Sequence, residues 1–490
     1  MTEAPLTARE YRDLLSAALA EAMTADARHP TAHTLFTPDS HRSALYVDNV
    51  VVQGGRGAGK TFWYWSLLDE KLRGLAADEY RINRLRRLGV APGYGLAPRH
   101  ECYPGPMVLR GLLEAGEDPY DIWYTVLLAS LDQPDLRGLT EWADKIAWVR
   151  ANPGPAERTI EEADRRAYGE NIVHLLLFDA LEHLHSDRRH ADRLVGGILR
   201  LALQMRFATR SLRLKVFVRP DMFEAARHHF ADASKLSASS ARLEWTQTDL
   251  YGLLFHYLGN EDGDGARRFR ETTGGWQPEA DGTRQTPPRL LSGNEEAQQR
   301  LFEEIADEFM GSNIRRGRTY AWLPNHLMDG RGKVSPRSFL QALSTAAETT
   351  RTQHSEHGRA LHHEAIQKGV QEASTQRVQE VSEDTPWVEI AIRPLAGYQV
   401  PITAETVRRL WREADLSAAL AREAARYAQA DTPDLVRTGP RHPEDLPRLI
   451  TELTELGVMT PPRTDGRLDL PDVYRLAFGL GRKGGVPRPK

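Results

Sequence analysis

The chain has 490 residues, with 64 Lys and Arg against 68 Asp and Glu, for a formal net charge of −4. Its 40% hydrophobic and 27% charged content is that of a globular chain too long for one core, and no run approaches the 18 or so apolar residues that span a membrane. The charge balance excludes a global basic field, so any nucleic-acid contact has to come from a local patch, and the lone Cys102 excludes an internal disulfide. The polar segment from Met1 to Arg9 has no secretory apolar region, which predicts a cytoplasmic chain with no membrane partner.

The first strong signal is the run Val50-Val51-Val52, which has the composition of a buried strand. After it, residues Gly54 to Thr61 read Gly-Gly-Arg-Gly-Ala-Gly-Lys-Thr and fill the G-x-x-x-x-G-K-[ST] template of a phosphate-binding loop. Such a loop turns backbone N–H groups inward around a triphosphate, and glycine reaches the required angles cheaply. Gly54, Gly55, Arg56, Gly57, Ala58, Gly59 and Phe62 are therefore candidate nucleotide contacts. Lys60 is placed for the β- and γ-phosphates and Thr61 for Mg²⁺, at the start of a helix expected over Phe62 to Leu72. The Gly/Pro/Arg-rich stretch from Arg73 to Pro106 reads either as a partner-binding elaboration or as a long surface excursion.

Helices are expected at Tyr120 to Leu131 and Ala156 to Gly169, and a buried parallel strand at Ile172 to Phe178. Asp179 follows that strand directly and is the expected Mg²⁺ acid, with Glu182 three positions on as candidate general base. About 110 residues separate Thr61 from Ile172, which suits ATPases that insert a strand between the two motifs, and no guanine signature occurs, so ATP is expected. A third strand, Leu212 to Val218, ends in Arg219, either a catalytic sensor of the γ-phosphate or a surface arginine at a strand end; Asp221 reads as a helix N-cap. Leu291 to Asn294 imitates a transporter signature but lies on the wrong side of Asp179; it reads as a loop into a helix over Glu295 to Met310. Ser335-Pro336-Arg337 then opens a helix over Ser338 to Thr349.

The loop, the strand ending in Asp179 and the arginine Arg337 resemble, in order and spacing, the Walker A, Walker B and sensor 2 elements of AAA+ and STAND-like ATPases, including KAP-type relatives with an Asp-x-x-Asp/Glu pattern. The resemblance covers Leu35 to Thr350. It implies a doubly wound α/β P-loop NTPase core, a helical lid from which Arg337 reaches the nucleotide, assembly into homo-oligomers and, by fold-level analogy, bacterial signalling or phage defence. The family places glutamate directly after the Walker B aspartate, whereas this chain has Ala180; Glu182 replaces it or the protein is a slow switch. An arginine finger is expected among Arg206, Arg210 and Arg213, each of which also reads as a solvated surface residue.

The stretch from Arg351 to Asp384 reads as a solvated connecting helix in preference to a metal site, despite His354, His357, His362 and His363, because neighbours in sequence do not share a helix face. Val388 to Ile392 alternates like a short strand. Helices at Ala404–Ala414, Ser417–Ala430 and Pro443–Leu456, a strand at Val458–Thr460 and a hairpin turn at Thr464–Arg467 together describe a winged-helix-like module. Its cations, Arg463, Arg467, Arg482, Lys483, Arg488 and Lys490, are interleaved with Asp465, Asp469 and Asp472, which favours protein docking over DNA binding.

The expected organisation is thus a helical segment at 1–34, an ATPase core at 35–250, a lid at 251–350, a connector at 351–400 and the winged-helix-like domain at 401–490. The expected activity is Mg·ATP binding and hydrolysis coupled to conformational change and assembly. The alternative is a nucleotide-gated scaffold without hydrolysis or a DNA-binding regulator.

Overall fold

Five strands form a wholly parallel sheet: β1 (Val51–Gln53), β2 (Leu88–Tyr94), β3 (Val173–Phe178), β4 (Leu212–Val218) and β5 (Ser240–Arg242), in the order β2-β3-β4-β1-β5. The computed structural model describes residues 5–24, 29–226, 233–279, 282–429 and 439–484. Strand β4 lies between β1 and β3, which is the inserted strand that the spacing of the two motifs predicts.

Alternate strand residues feed two cores, as a parallel sheet covered on both faces requires. Leu176, Phe178, Leu214, Val216 and Val218 face helices Pro119–Ser130 and Arg188–Ala208. Val52, Leu175, Leu177 and Phe217 face helices Lys60–Leu68 and Glu70–Tyr80. This is the doubly wound α/β core expected from the sequence. The single helix expected after the phosphate loop is in fact two, because the Asp69 carboxylate caps a new helix by accepting from the Leu72 N–H.

Much of the stretch from Arg73 to Pro106 belongs to the core fold. It finishes that second helix and supplies β2, the edge strand paired along its length with β3. Its register shifts between Pro92 and Tyr94, and an edge is where a strand tolerates a residue that cannot donate.

A third core joins the N-terminal helix Ala8–Thr24 to helices Gln247–Asn260, Pro336–Gln353 and the first half of His363–Asp384. The helix expected to be a solvated connector therefore has a buried face. Ala365, Ile366, Val370 and Ala373 lie in this core, and a Cβ on Gly369 would collide with the Ala342 carbonyl, so these two helices cross at backbone contact. The helix expected to run to Met310 stops at Ile305, and Ala306 bridges to Leu361.

The C-terminal core collects Trp387, Val388, Ile392, Trp411, Leu449, Leu453 and Tyr474. Residues expected as a strand at Val388 to Ile392 form the helix Trp387–Ile392, which buries Trp387, Val388, Ala391 and Ile392 on one side. Helices Ala404–Glu413, Leu416–Gln429 and Leu446–Glu455 precede a hairpin closed by Arg463 N–H to Arg467 O (2.9 Å) and Thr460 N–H to Asp469 O (2.9 Å). The expected strand at Val458–Thr460 forms no ladder among the described residues. The return strand Arg467–Leu468 pairs antiparallel with Ile402–Thr403, completing the winged-helix-like module.

Candidate functional site

The phosphate loop starts against the tip of β4, where the Gly54 N–H donates to Val218 O (3.1 Å), and it ends where helix Lys60–Leu68 begins after Gly59. Gly57 has φ +73°, which strains any other residue, and a Cβ there would come within 2.5 Å of the Ser335 Oγ. The Trp245 indole donates to Ala58 O (3.0 Å) and fixes the loop from the strand β5 side. Where a Cβ would stand on Gly55 or Gly59 there is open space. Lys60 is buried, and its ammonium donates to the loop's own carbonyls at Gly54 (3.2 Å) and Gly55 (3.1 Å). Phe62 is partly buried against the core beneath this helix and packs edge-on against Trp63.

Strand β3 delivers Asp179, whose N–H donates to Tyr94 O of β2 (3.1 Å). Ala180 then takes the left-handed conformation at φ +57°, ψ +36°, and the short turn Leu181–His183 carries Glu182 back beside Asp179. Both carboxylates are buried, and Asp179 Oδ1 and Glu182 Oε2 have no hydrogen-bond partner. Burial opposes both charges. Against it, the Lys60 ammonium and the Arg219 guanidinium hold the Glu182 carboxyl below its usual range. Burial and the charge of Glu182 together push Asp179 up to about 6, in spite of Lys60 and a hydrogen bond with Thr61.

Unpaired buried oxygens beside a lysine and a threonine hydroxyl form a hard, anionic donor set. Thr61 and Asp179 fit Mg²⁺, and the glycine-lined hollow with Lys60 fits a triphosphate.

Arg219 is buried at the end of β4, close enough to Glu182 to influence its charge, and its Nε meets Asp221 Oδ1 at 3.2 Å. Asp221 is not the expected N-cap. It lies inside helix Pro220–Ala226 and takes a second ion pair from Arg188 Nη2 (2.7 Å). Arg441 of the C-terminal module donates to the Asp221 carbonyl (3.1 Å) and pairs with Asp192 (3.1 Å), stitching that module to the core.

The outer side of the loop is covered by residues 320 and more positions away in sequence. Arg56 pairs with Asp384 and approaches Glu383 (3.5 Å) and Glu380 (4.0 Å). Arg377 donates to the Arg56 carbonyl (3.2 Å) and to Glu380 (3.4 Å), and a second oxygen of Glu380 accepts from Arg337 (2.8 Å). Arg337 is thus engaged by the helix His363–Asp384. Between loop and C-terminal module lies a small cleft lined by Gly55, Arg56, Arg219, Arg331, Arg377 and Tyr474.

Sequence reading gave no site role to Arg377, Glu380 and Asp384, and named Ser335 only as the start of a helix. The available signal was the spacing of Arg377, Glu380 and Asp384 at i, i+3 and i+7 on one helix face. Of the finger candidates, Arg213 is tied to Asp48 (3.2 Å) and to backbone carbonyls, Arg206 donates to Ser239 (2.7 Å), and Arg210 is exposed over the Tyr168 ring. In the winged-helix-like module, Arg463 and Arg482 pair with Asp469, and Arg482 also with Asp472, while Arg467 pairs with Asp465. Arg488 and Lys490 lie outside the described residues.

No protein-family model and no curated protein matches the chain. Among solved structures it is similar to Cdc6p from Pyrobaculum aerophilum, at 13% identity and a TM-score of 0.31 over 93% of this chain and 94% of that one. It is also similar to the ORC2 protein of Aeropyrum pernix, described as ADPNP and ADP complexes, at 14% identity and a TM-score of 0.34 over 87% and 85%. Among the described residues no helix is long and apolar enough to cross a membrane.

Proposed function

We propose that the protein is an AAA+-like ATPase that binds Mg·ATP in the loop Gly54–Thr61 and couples its occupancy to the seating of the lid and the C-terminal module. The observation that carries this reading is the pairing of buried, unpartnered carboxylate oxygens on Asp179 and Glu182 with Lys60 in a glycine-lined hollow. A protein that buries two adjacent carboxylates, each with one oxygen lacking a hydrogen bond, sustains a penalty, and a divalent cation with a triphosphate reduces it.

In this reading Lys60 holds the phosphates, while Thr61 and Asp179 hold Mg²⁺, which screens the phosphate charge when bound. Glu182, kept ionised by Lys60 and Arg219, takes the proton of the attacking water, and Arg219 steadies charge at the γ-phosphate. The Arg56 pairs give the loop a mechanical partner: a change in loop shape on filling is transmitted to Asp384 and Glu380 and so to the helix that bears them. The pairing of Arg463, Arg467 and Arg482 with neighbouring carboxylates supports a protein partner or a second copy of the chain there over DNA.

The test is ATP turnover of the wild type beside Glu182→Gln, with mass measured with and without Mg·ATP. Turnover lost in the variant, with a larger assembly on ATP, is the expected result. Tight binding without turnover in either protein contradicts the assignment of Glu182 and selects the nucleotide-gated scaffold, which the alanine at position 180 favours.

A further inference from the structure

Far from the phosphate loop, the connection between helices Pro336–Gln353 and His363–Asp384 brings histidines together across a turn. His354 closes the first helix as its C-cap, and His362 opens the second as its N-cap. Their rings stack at 3.9 Å between centroids, 17° from parallel. Glu364, in the first turn of the second helix, sets its Oε2 3.7 Å from the His354 Nε2. One potential ligand atom from each of His354, His362 and Glu364 falls within 4.8 Å of the other two.

The backbone around them is fixed. The His362 N–H donates to the Thr350 Oγ1 (3.0 Å), Thr350 donates to Ala346 O (2.8 Å), and the Leu361 N–H donates to Ile305 O (3.0 Å). His357 is held by Asp307 (2.9 Å) and stands beside the His362 ring without joining the trio. The sequence spacing gave no such grouping, because the ligands face one another across the turn and not along one helix.

We propose that His354, His362 and Glu364 form a binding site for a borderline divalent transition cation of the Zn²⁺ class, with water completing the coordination. Two imidazoles and one carboxylate are a donor set of that class, and an oxygen-only cation such as Mg²⁺ has no use for the imidazoles. The His362 Nδ1 accepts a long 3.3 Å bond from the Glu364 N–H; coordination through Nε2 moves the ring proton to Nδ1 and gives that bond up. The ion pins the ends of two helices whose crossing is already at backbone contact. The second of them spans roughly 33 Å at 1.5 Å per residue and ends at Asp384 on the phosphate loop. The site therefore steadies the element that covers the loop, without touching nucleotide.

Untagged protein stripped of metal and titrated with Zn²⁺, and separately with Co²⁺ followed by its visible spectrum, tests the site. The expected result is one ion per chain with Kd in the micromolar range, a Co²⁺ spectrum of mixed nitrogen and oxygen ligation, and a raised Tm. Binding falls by on the order of 100-fold in His354→Asn and in Glu364→Gln, both of which preserve size and backbone, while His357→Asn binds as wild type. Unchanged affinity in His354→Asn and Glu364→Gln, or the absence of stoichiometric binding in the wild type, overturns the proposal.

Discussion

The two sides of the phosphate loop are built on opposite principles. On the inner side, Lys60 leans on its own loop's carbonyls, and Asp179 and Glu182 each leave an oxygen buried and unpartnered. On the outer side, Arg56, Arg337 and Arg377 meet Glu380, Glu383 and Asp384 in a network in which each charge has an opposite within about ion-pair reach. Buried carboxylate oxygens left without a hydrogen bond beside a lysine and a threonine hydroxyl suit a cationic or phosphate ligand, whereas paired charges hold chain segments to one another. In the proposed reading the inner side is the nucleotide site and the outer side a latch between the loop and the rest of the chain.

The largest effect expected from breaking this contrast is on the inner side. Lys60→Ala removes the charge that offsets two buried carboxylates and should weaken Mg·ATP binding by about 2.7–4 kcal/mol, read by calorimetric titration. Next comes the loop's shape. Gly57→Ala places a Cβ in left-handed backbone against Ser335 and should cost about 1–3 kcal/mol of stability, seen as a lower Tm, with weakened nucleotide binding alongside. On the outer side, Asp384→Asn removes one charged partner of Arg56. It should cost about 1.5 kcal/mol and increase hydrogen exchange in the loop and in the end of helix His363–Asp384, with turnover changed less than by any inner-side variant.

Protonation sharpens the contrast further. Asp179 is pushed up to about 6, so the folded state holds a proton there that the unfolded chain has released. That stabilising contribution is present at low pH and is lost as pH rises towards 6. Mg²⁺ competes with the same proton, so Mg-dependent ATP affinity should rise with pH up to about 6 and then level off. Asp179→Asn should abolish the rise. The smallest effect concerns Ala180: relieving its left-handed strain with Ala180→Gly should raise stability by about 0.5–1 kcal/mol, with Glu182 still delivered to the site.

Much of the inner side was legible because it is local. A strand, a glycine-rich loop, a helix and a second apolar strand ending in an acid are each written within about ten consecutive residues. Strand β2 was not, because Gly89, Pro92 and Gly93 carry a loop's composition, and only the edge position of the strand makes them acceptable. The helix Trp387–Ile392 was misread because a six-residue segment with five apolar positions fits both periodicities, and only the tertiary environment that buries Trp387, Val388, Ala391 and Ile392 decides between them. The latch was hidden for a different reason. Arg56 and Asp384 are 328 positions apart, and a polar helix that buries charged pairs against another element looks, in sequence, like a solvated one.

The most direct measurement is one Mg·ATP titration run in parallel on the wild type, Lys60→Ala and Arg56→Ala. If the inner side is the site and the outer side the latch, Lys60→Ala loses on the order of 100-fold in affinity, the equivalent of the lower bound above, while Arg56→Ala stays within a few-fold of the wild type. Undiminished affinity in Lys60→Ala, or an equal loss in both variants, contradicts that division of labour.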